Sequence, residues 1–557
     1  MAFSKAPEES SAPTIEPRAP RKAFDQSKLS EEQLEIINCD APLVVGQAFA
    51  GTGKSTTGIG YATKFQDKKI LVLCFNRANA IEAAEKYAHL KNASVGTTHA
   101  LAYTSGILSN HQKARVAHRW NALTLRSELR IVGGKGDMRT AAITASILNE
   151  FFMTPDTKID PAIHGKYARN VLNAAESAID QAVPYASRLW TAMQSSDSGI
   201  LIPHDAYLKM FVMRSVNLDY DTVIFDEAQD ANPIMLKLLE DQYTQKNSRG
   251  NNSKVIYLGD RHQAIYEFRG AVNAMENLPD SAKILPLTQS WRFGPYTASL
   301  ANCILQELKQ EELEIKGMGE DRPYKSGDQV AYISRTNSDL FARAVAVRGE
   351  GIHWVGGIEG YRIQMLQDAL HLYTNKPNLM TEPHIKKNFR SYVDLEQAAK
   401  YDTDANILVT LVKEYGDSIP EIVDEIKKNA VPDQSQASLV LTTAHKSKGL
   451  EWDHIQLAND YRNVFKTAED NLAGKAVAFP EQEVNLMYVA TTRAKCSVDI
   501  NYEMDQWHKF LDHHRAKRVR DFAAGVDTAA PEARFSSKRG KNGAFGKILK
   551  PFNARIR

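Results

Sequence analysis

The sequence predicts an α/β fold with parallel sheets flanked by helices. Three observations predict it. Short β-rich runs alternate with helical stretches, a pattern that suits parallel strands joined by crossover helices. A glycine-rich turn, "AFAGTGKST", follows one such run and opens a helix. The chain has 557 residues, more than one hydrophobic core holds, so about three or four units are expected.

The elements follow in chain order. Residues 1–28 carry four prolines among Ser, Ala and charged residues and read as a disordered tail; no apolar stretch there suits a secretory signal. "LSEEQLEII" has the Ser-x-x-Gln spacing of a helix start. Strands are expected in "APLVVGQ", "KKILVLCF", "DTVIFDE", "SKVIYLGD", "QVAYIS", "SLVLTTAH" and "DHIQLAND". Residues 105–205 and 377–434 break the rhythm and read as mainly helical insertions. Residues 506–557 form a basic tail; from 514 on it holds twelve Lys/Arg and three Asp/Glu, with Phe535, Phe545 and Phe552 interleaved. Two readings of this tail stay open: a solvated segment, or an arm that displaces phosphate counterions and stacks on bases.

Composition narrows the class. Apolar residues make up 43% and charged residues 24% of the chain, with a net charge of +2. That is the balance of a soluble globular protein; any basic surface is local. Four scattered cysteines without a C-x-x-C pair argue against a disulfide framework or zinc site and for a reducing, intracellular setting. No run is long enough for a membrane span.

The chemistry concentrates in two motifs. In "AFAGTGKST", glycines let backbone N–H groups converge on an anion. Lys54 then reaches the β and γ phosphates and Ser55 binds Mg²⁺; Ala50, Gly51, Thr52, Gly53 and Thr56 complete the cradle. Ala48 stands where the strict G-x-x-x-x-G-K-[ST] pattern has glycine, so the variant is A-x-A-G-T-G-K-S. In "VIFDEAQD" a buried strand ends in Asp226, Glu227 and Asp230. A divalent cation offsets their repulsion: Asp226 holds the metal and Glu227 orients and deprotonates an attacking water. Asp230 either positions a neighbour or caps the helix near Pro233.

These motifs, with "YLGDRHQAIYEFRGA", "LTQSWRF", "LTTAHKSKGLEWDHIQL" and "EVNLMYVATTRAK" in order from about Gln33 to Lys495, resemble a superfamily 1A helicase of the UvrD/Rep/PcrA type. "CFNRANA", "WVGGIEGY" and "TAHKSKGLEWD" are most similar to the F-box DNA helicase branch; no F-box stretch is apparent, so that branch's ubiquitin-ligase role does not carry over. The resemblance implies two RecA-like P-loop lobes, each with an insertion: lobe 1A at 29–104 and 206–280, insertion 1B at 105–205, lobe 2A at 281–376 and 435–505, and a short 2B at 377–434.

The same resemblance implies residue roles. Gln33 reads adenine, Trp291 stacks on it and Glu451 contacts ribose. Gln263 couples the γ-phosphate to DNA. Arg292 and Arg493 reach the γ-phosphate across the cleft between the lobes. Phe75, Asn76, Thr98, His99, Phe268 and His445 face DNA, with Phe268 where relatives carry a base-stacking tryptophan; Tyr266 and Tyr488 are expected to pack. The implied cofactors are ATP and Mg²⁺. The implied partners are single-stranded DNA and single-strand/duplex junctions, with room for protein partners in replication, repair or defence, no membrane, and a monomeric working state. Localisation is expected to be cytoplasmic, or nuclear in a eukaryote. The implied activity is an ATP-driven 3′→5′ translocase that unwinds duplex or displaces proteins. The alternative is a helicase-like ATPase subunit or non-motor ATP switch in a larger DNA-processing or defence complex.

Overall fold

The computed structural model describes residues 25–117, 120–134, 136–266, 273–276, 278–347, 351–361, 363–400, 403–462, 464–472, 480–507 and 509. Most of the two tails, including all three tail phenylalanines, and Phe268 lie outside the described residues. The chain divides into two compact units: Met1–Arg292 with Ile315–Met318 and Leu372–Thr410, and Phe293–Glu314 with Gly319–His371 and Leu411–Arg557.

The first unit opens with α1 (Glu31–Asn38), whose start is the capping box read from the sequence: Ser30 Oγ accepts the Gln33 N–H while the Gln33 side chain accepts the Ser30 N–H. Then come β1 (Leu43–Ala48), α2 (Lys54–Lys64), β2 (Ile70–Cys74), α3 (Arg77–Tyr87), β3 (Ala93–Thr97) and α4 (Thr98–Thr104). Residues 105–205 hold α5 (Asn110–Lys113), β4 (Val116–Ala117), α6 (Ala122–Ile131), α7 (Met138–Phe152), α8 (Pro161–His164), α9 (Lys166–Asn170), α10 (Glu176–Gln194) and β5 (Ile202–Pro203). The only strand pairing described in this stretch is the two-residue β4–β5 ladder. The chain returns through α11 (His204–Val212), β6 (Thr222–Asp226), α12 (Pro233–Thr244), β7 (Lys254–Gly259) and β8 (Lys283–Leu287), then β9 (Gln289–Ser290), which pairs with β10 (Lys316–Gly317).

β1, β2, β3, β6, β7 and β8 form one parallel sheet in the order β3-β2-β6-β7-β1-β8. Its inner strands are apolar almost throughout, because helices cover both faces: β2 and all but the last residue of β6 are buried. Separate apolar clusters lie on the two faces. One joins Leu71, Val223 and Val255 to α7, α10, α11 and α12; the other joins Val44, Val72 and Ile256 to α1 and α2. Since β8 is hydrogen-bonded to β1, the first sheet runs past residue 280, the lobe boundary expected from sequence. Pro286 and an exposed start mask β8 as a strand, as half-burial, Gly96 and Ser94 mask β3.

The second unit carries a five-stranded parallel sheet. Its strands are β11 (Val330–Ser334), β12 (Ile352–Trp354), β13 (Leu439–Thr443), β14 (Trp452–Leu457) and β15 (Ala494–Asp499), in the order β12-β13-β11-β14-β15. Residues 377–434 hold several helices, and the division between the units falls inside one of them, Thr403–Tyr415. Among the described residues no helix is long and apolar enough to cross a membrane.

Candidate functional site

In a parallel sheet every strand ends on the same edge, and ligands gather there. The ends of β1, β2, β3, β6 and β7 and the segments that follow carry Gly51–Ser55, Phe75–Asn76, Thr98–His99, Asp226–Glu227 and Gln263. One edge of the first sheet therefore bears most of the sequence-predicted chemistry.

The phosphate-type loop follows β1. Gly51 has φ 75° and Gly53 φ 83°, left-handed values that cost a side-chain-bearing residue about 1–2 kcal/mol. At Gly51 space is restrictive as well, whereas the clash at Gly53 is with the end of a flexible side chain. A Cβ on Gly51 would stand 2.6 Å from both Arg292 Cβ and Ser290 Oγ, and one on Gly53 2.6 Å from Gln33 Nε2. α2 begins at Lys54, so its first N–H groups face the loop without intrahelical partners. The Gly53 carbonyl accepts from Gln33 Nε2 (3.3 Å), Thr57 N (2.9 Å) and Thr57 Oγ1 (3.0 Å). Thr52 is buried and donates from Oγ1 to Phe49 O, Ala50 is buried, and Thr56 is exposed.

The acidic residues meet this loop. Ser55 Oγ donates to Asp226 Oδ2 at 3.3 Å, and Lys54 Nζ is 3.5 Å from Glu227 Oε1. Burial first, then the neighbouring Glu227 charge, pushes the Asp226 carboxyl up to about 6, against the pull of Lys54. Such a carboxylate favours a cation beside it. Ser55 Oγ and Asp226 Oδ2 suit Mg²⁺, which takes few protein oxygens and keeps several waters. Glu227 sits in the left-handed region at φ 58°. Gln229 Nε2 donates to its Oε2 at 2.5 Å, Gln229 Oε1 accepts the Asp260 N–H, and Asp260 Oδ2 accepts from Gln263 Nε2 at 2.8 Å. Gln263 is thus joined to Glu227 through Gln229 and Asp260, two residues that sequence reasoning passed over although both lie inside the quoted motifs. Asp230 is buried and does not cap α12; Asn232 does, its Oδ1 accepting the Met235 N–H.

Trp291 and Arg292 follow β9 and lie against the phosphate-type loop. The Trp291 N–H donates to Gly51 O at 2.9 Å, and Trp291 is 53% exposed, an unusual exposure for so large an apolar residue. Arg292 belongs to the first unit, so its place beside Gly51 is set within that unit.

Two further groups stand on the sheet edge. Phe75 stacks on Tyr266, with centroids 5.5 Å apart and planes 15° from parallel, and Asn76 caps α3. Tyr266 therefore packs, but on a residue expected to face DNA. Thr98 is buried and its Oγ1 has no hydrogen-bond partner. His99 Nε2 is 3.0 Å from Asp205 Oδ1, and its ring meets His204 and Tyr207 edge-on.

Within the second unit, Arg493 is 1% exposed. Its Nε donates to Val489 O and its Nη1 to Leu450 O, next to the exposed Glu451. His445 lies half-buried in the short helix Ala444–Ser447 after β13. Tyr488 is fully buried, as expected of a packing residue.

Two family models match the chain: the UvrD/REP helicase N-terminal domain over residues 29–281 and the UvrD-like helicase C-terminal domain over residues 389–503. The chain is 30% identical over 524 residues to F-box DNA helicase protein 1 of Schizosaccharomyces pombe, covering 85% of this chain and 57% of that one. It is 28% identical over 517 residues to F-box DNA helicase 1 of Gallus gallus, covering 85% and 49%. With ATP-dependent DNA helicase UvrD2 of Mycobacterium bovis the identity is 21% over 342 residues, covering 52% and 48%. The chain spans about half the length of these relatives. Two consecutive models of one helicase, matched in order onto a chain with two parallel α/β sheets and a phosphate loop facing an Asp-Glu pair, carry the conclusion: the chain belongs to the UvrD-like helicase family.

Proposed function

We propose that this protein is an ATP-dependent DNA helicase that moves 3′→5′ on single-stranded DNA and unwinds duplex or displaces bound proteins. One observation carries the reading. The Lys54–Ser55 start of α2 meets Asp226 and Glu227 at the end of β6, and Glu227 is wired through Gln229 and Asp260 to Gln263.

Each side chain has a task. Lys54 and the first N–H groups of α2 bind phosphate oxygens. Ser55 and Asp226 hold Mg²⁺, which when bound neutralises charge on the phosphates. Glu227 orients the attacking water and takes its proton, and Gln263 links that step to the strand. Arg292 supplies positive charge to the transferred phosphoryl group, and Arg493 is assigned the second guanidinium; such arginines speed transfer by roughly 10³–10⁵-fold. Trp291 stacks on adenine, Gln33 hydrogen-bonds it and Glu451 contacts ribose. Phe75, Asn76, Thr98, His99 and His445 face the strand, each stacked base worth roughly 1–3 kcal/mol, weak enough to release every cycle.

The test is ATP hydrolysis and strand displacement on duplexes with a 3′ or a 5′ single-stranded tail, with Lys54→Ala as control. The helicase reading expects hydrolysis stimulated by single-stranded DNA and displacement from the 3′ tail. Hydrolysis indifferent to DNA, without displacement, would instead favour the ATP switch.

A further inference from the structure

Glu32 occupies the first turn of α1, one residue before Gln33. Its carboxylate accepts two hydrogen bonds from a single distant residue: the Thr288 N–H at 2.7 Å and the Thr288 hydroxyl at 2.6 Å. Bonds to an ionised acceptor are the strong ones, and a two-point grip fixes direction as well as distance. Thr288 is 7% exposed, so water competes poorly for the pair.

Thr288 stands where the chain leaves the sheet. β8 ends at Leu287, and β9 begins at Gln289 and carries the chain to Trp291 and Arg292. The Thr288 carbonyl accepts the Lys316 N–H at 3.0 Å, which starts the β9–β10 pairing. Three residues on, the Trp291 N–H donates to Gly51 O. Arg292 Cβ and Ser290 Oγ occupy the space that a side chain on Gly51 would need. On the neighbouring position of α1, Gln33 donates to Gly53 O. Consecutive residues of one helical turn thus hold the two parts of the nucleotide site: Gln33 the phosphate loop, Glu32 the segment that presents Trp291 and Arg292.

We infer that Glu32, through its two-point hydrogen bond to Thr288, is a positioning residue that sets Trp291 and Arg292 against the phosphate loop and so tunes affinity for the adenine nucleotide. The inference rests on the nucleotide reading above. Neither Glu32 nor Thr288 is assigned a contact with the nucleotide. Their loss loosens the segment and is felt mainly in binding.

The test uses the full chain, with ATP binding measured by calorimetry and single-stranded-DNA-stimulated hydrolysis measured over a range of ATP. Glu32→Ala and Thr288→Val raise Kd and KM for ATP about tenfold, with kcat changed less than about threefold and the melting midpoint held, while Thr288→Ser, which keeps the hydroxyl, stays within about twofold of the unaltered chain. The inference is overturned if Thr288→Val binds ATP as Thr288→Ser does, or if Kd worsens only in step with lost thermal stability. Should Glu32→Ala fail to fold, the Thr288 pair decides alone. Absence of ATP binding by the unaltered chain sinks the nucleotide reading and this inference with it. A normal isotherm for the unaltered chain beside an unmoved Thr288→Val isotherm sinks only the inference.

Discussion

Asp226→Asn should stabilise the metal-free protein at neutral pH while disabling hydrolysis. Burial and the neighbouring Glu227 charge lift the Asp226 carboxyl to about 6 from an ordinary 3.8, and each tenfold change in proton affinity is worth about 1.4 kcal/mol. The value of about 6 already contains the pull of Lys54, and the charged carboxylate costs the first unit about 1–3 kcal/mol. The sign follows from the direction of the shift. A raised carboxyl is neutral more readily in the folded than in the unfolded state, so folding retains a proton between about pH 4 and 6, and stability falls as pH rises through that window. Above about pH 6 the whole cost is present; near pH 4 it is gone. Asparagine is isosteric and keeps both local hydrogen bonds, accepting the Glu227 N–H and donating to Ser55 Oγ in place of the present contacts. The assay is urea unfolding in EDTA at pH 7 and pH 5, read by hydrogen exchange in peptides covering β6 and β7. The variant should gain about 1–3 kcal/mol at pH 7 and less at pH 5, while Mg²⁺-dependent ATP hydrolysis falls about 100-fold or more. A variant less stable than the parent at pH 7, or a gain independent of pH, would refute the reasoning.

Other perturbations follow from the same geometry. Gly53→Ala forces a side chain into φ 83° with its Cβ 2.6 Å from Gln33 Nε2; ATP affinity drops by about tenfold or more, checked by calorimetry. Glu227→Gln leaves nucleotide binding near normal but slows hydrolysis by about 10²-fold or more, a split visible in single-turnover measurements. Lys54→Ala removes the cation 3.5 Å from Glu227, so both ATP binding and hydrolysis are lost while the circular dichroism spectrum is kept. Phe75→Ala removes one partner of the Phe75–Tyr266 stack; affinity for single-stranded DNA falls by about 1–3 kcal/mol, read by fluorescence anisotropy.

Local chemistry was legible along the chain. The capping box at Ser30 and Gln33, the glycines whose left-handed turns open α2, and seven apolar runs that became β1, β2, β6, β7, β11, β13 and β14 are short-range features, each set by residues a few positions apart. In the two large sheets, the strands missed were those whose burial comes from partners rather than from their own composition. β3 is half-exposed and small-sided, β8 contains Pro286, β12 has three residues and β15 is an edge strand. Placing β8 beside β1 moves the end of the first sheet past residue 280, because a hydrogen-bond register is a property of two segments and no single segment encodes it.

By itself the sequence carried the expectation of nucleotide-phosphate chemistry, because phosphate binding and metal holding need particular groups at fixed short spacings: Gly51, Gly53, Lys54 and Ser55 in one loop, Asp226 and Glu227 at one strand end. Only the tertiary structure decided how those groups are held. Gln33 to Gly53, Ser55 to Asp226, Glu32 to Thr288 and Gln229 to Asp260 are contacts between residues 20, 171, 256 and 31 positions apart. Such pairs leave no periodic mark on the chain, since neither partner's immediate neighbours change when the other is present. They exist because a parallel sheet brings the ends of distant strands to one edge, where directional hydrogen bonds can close.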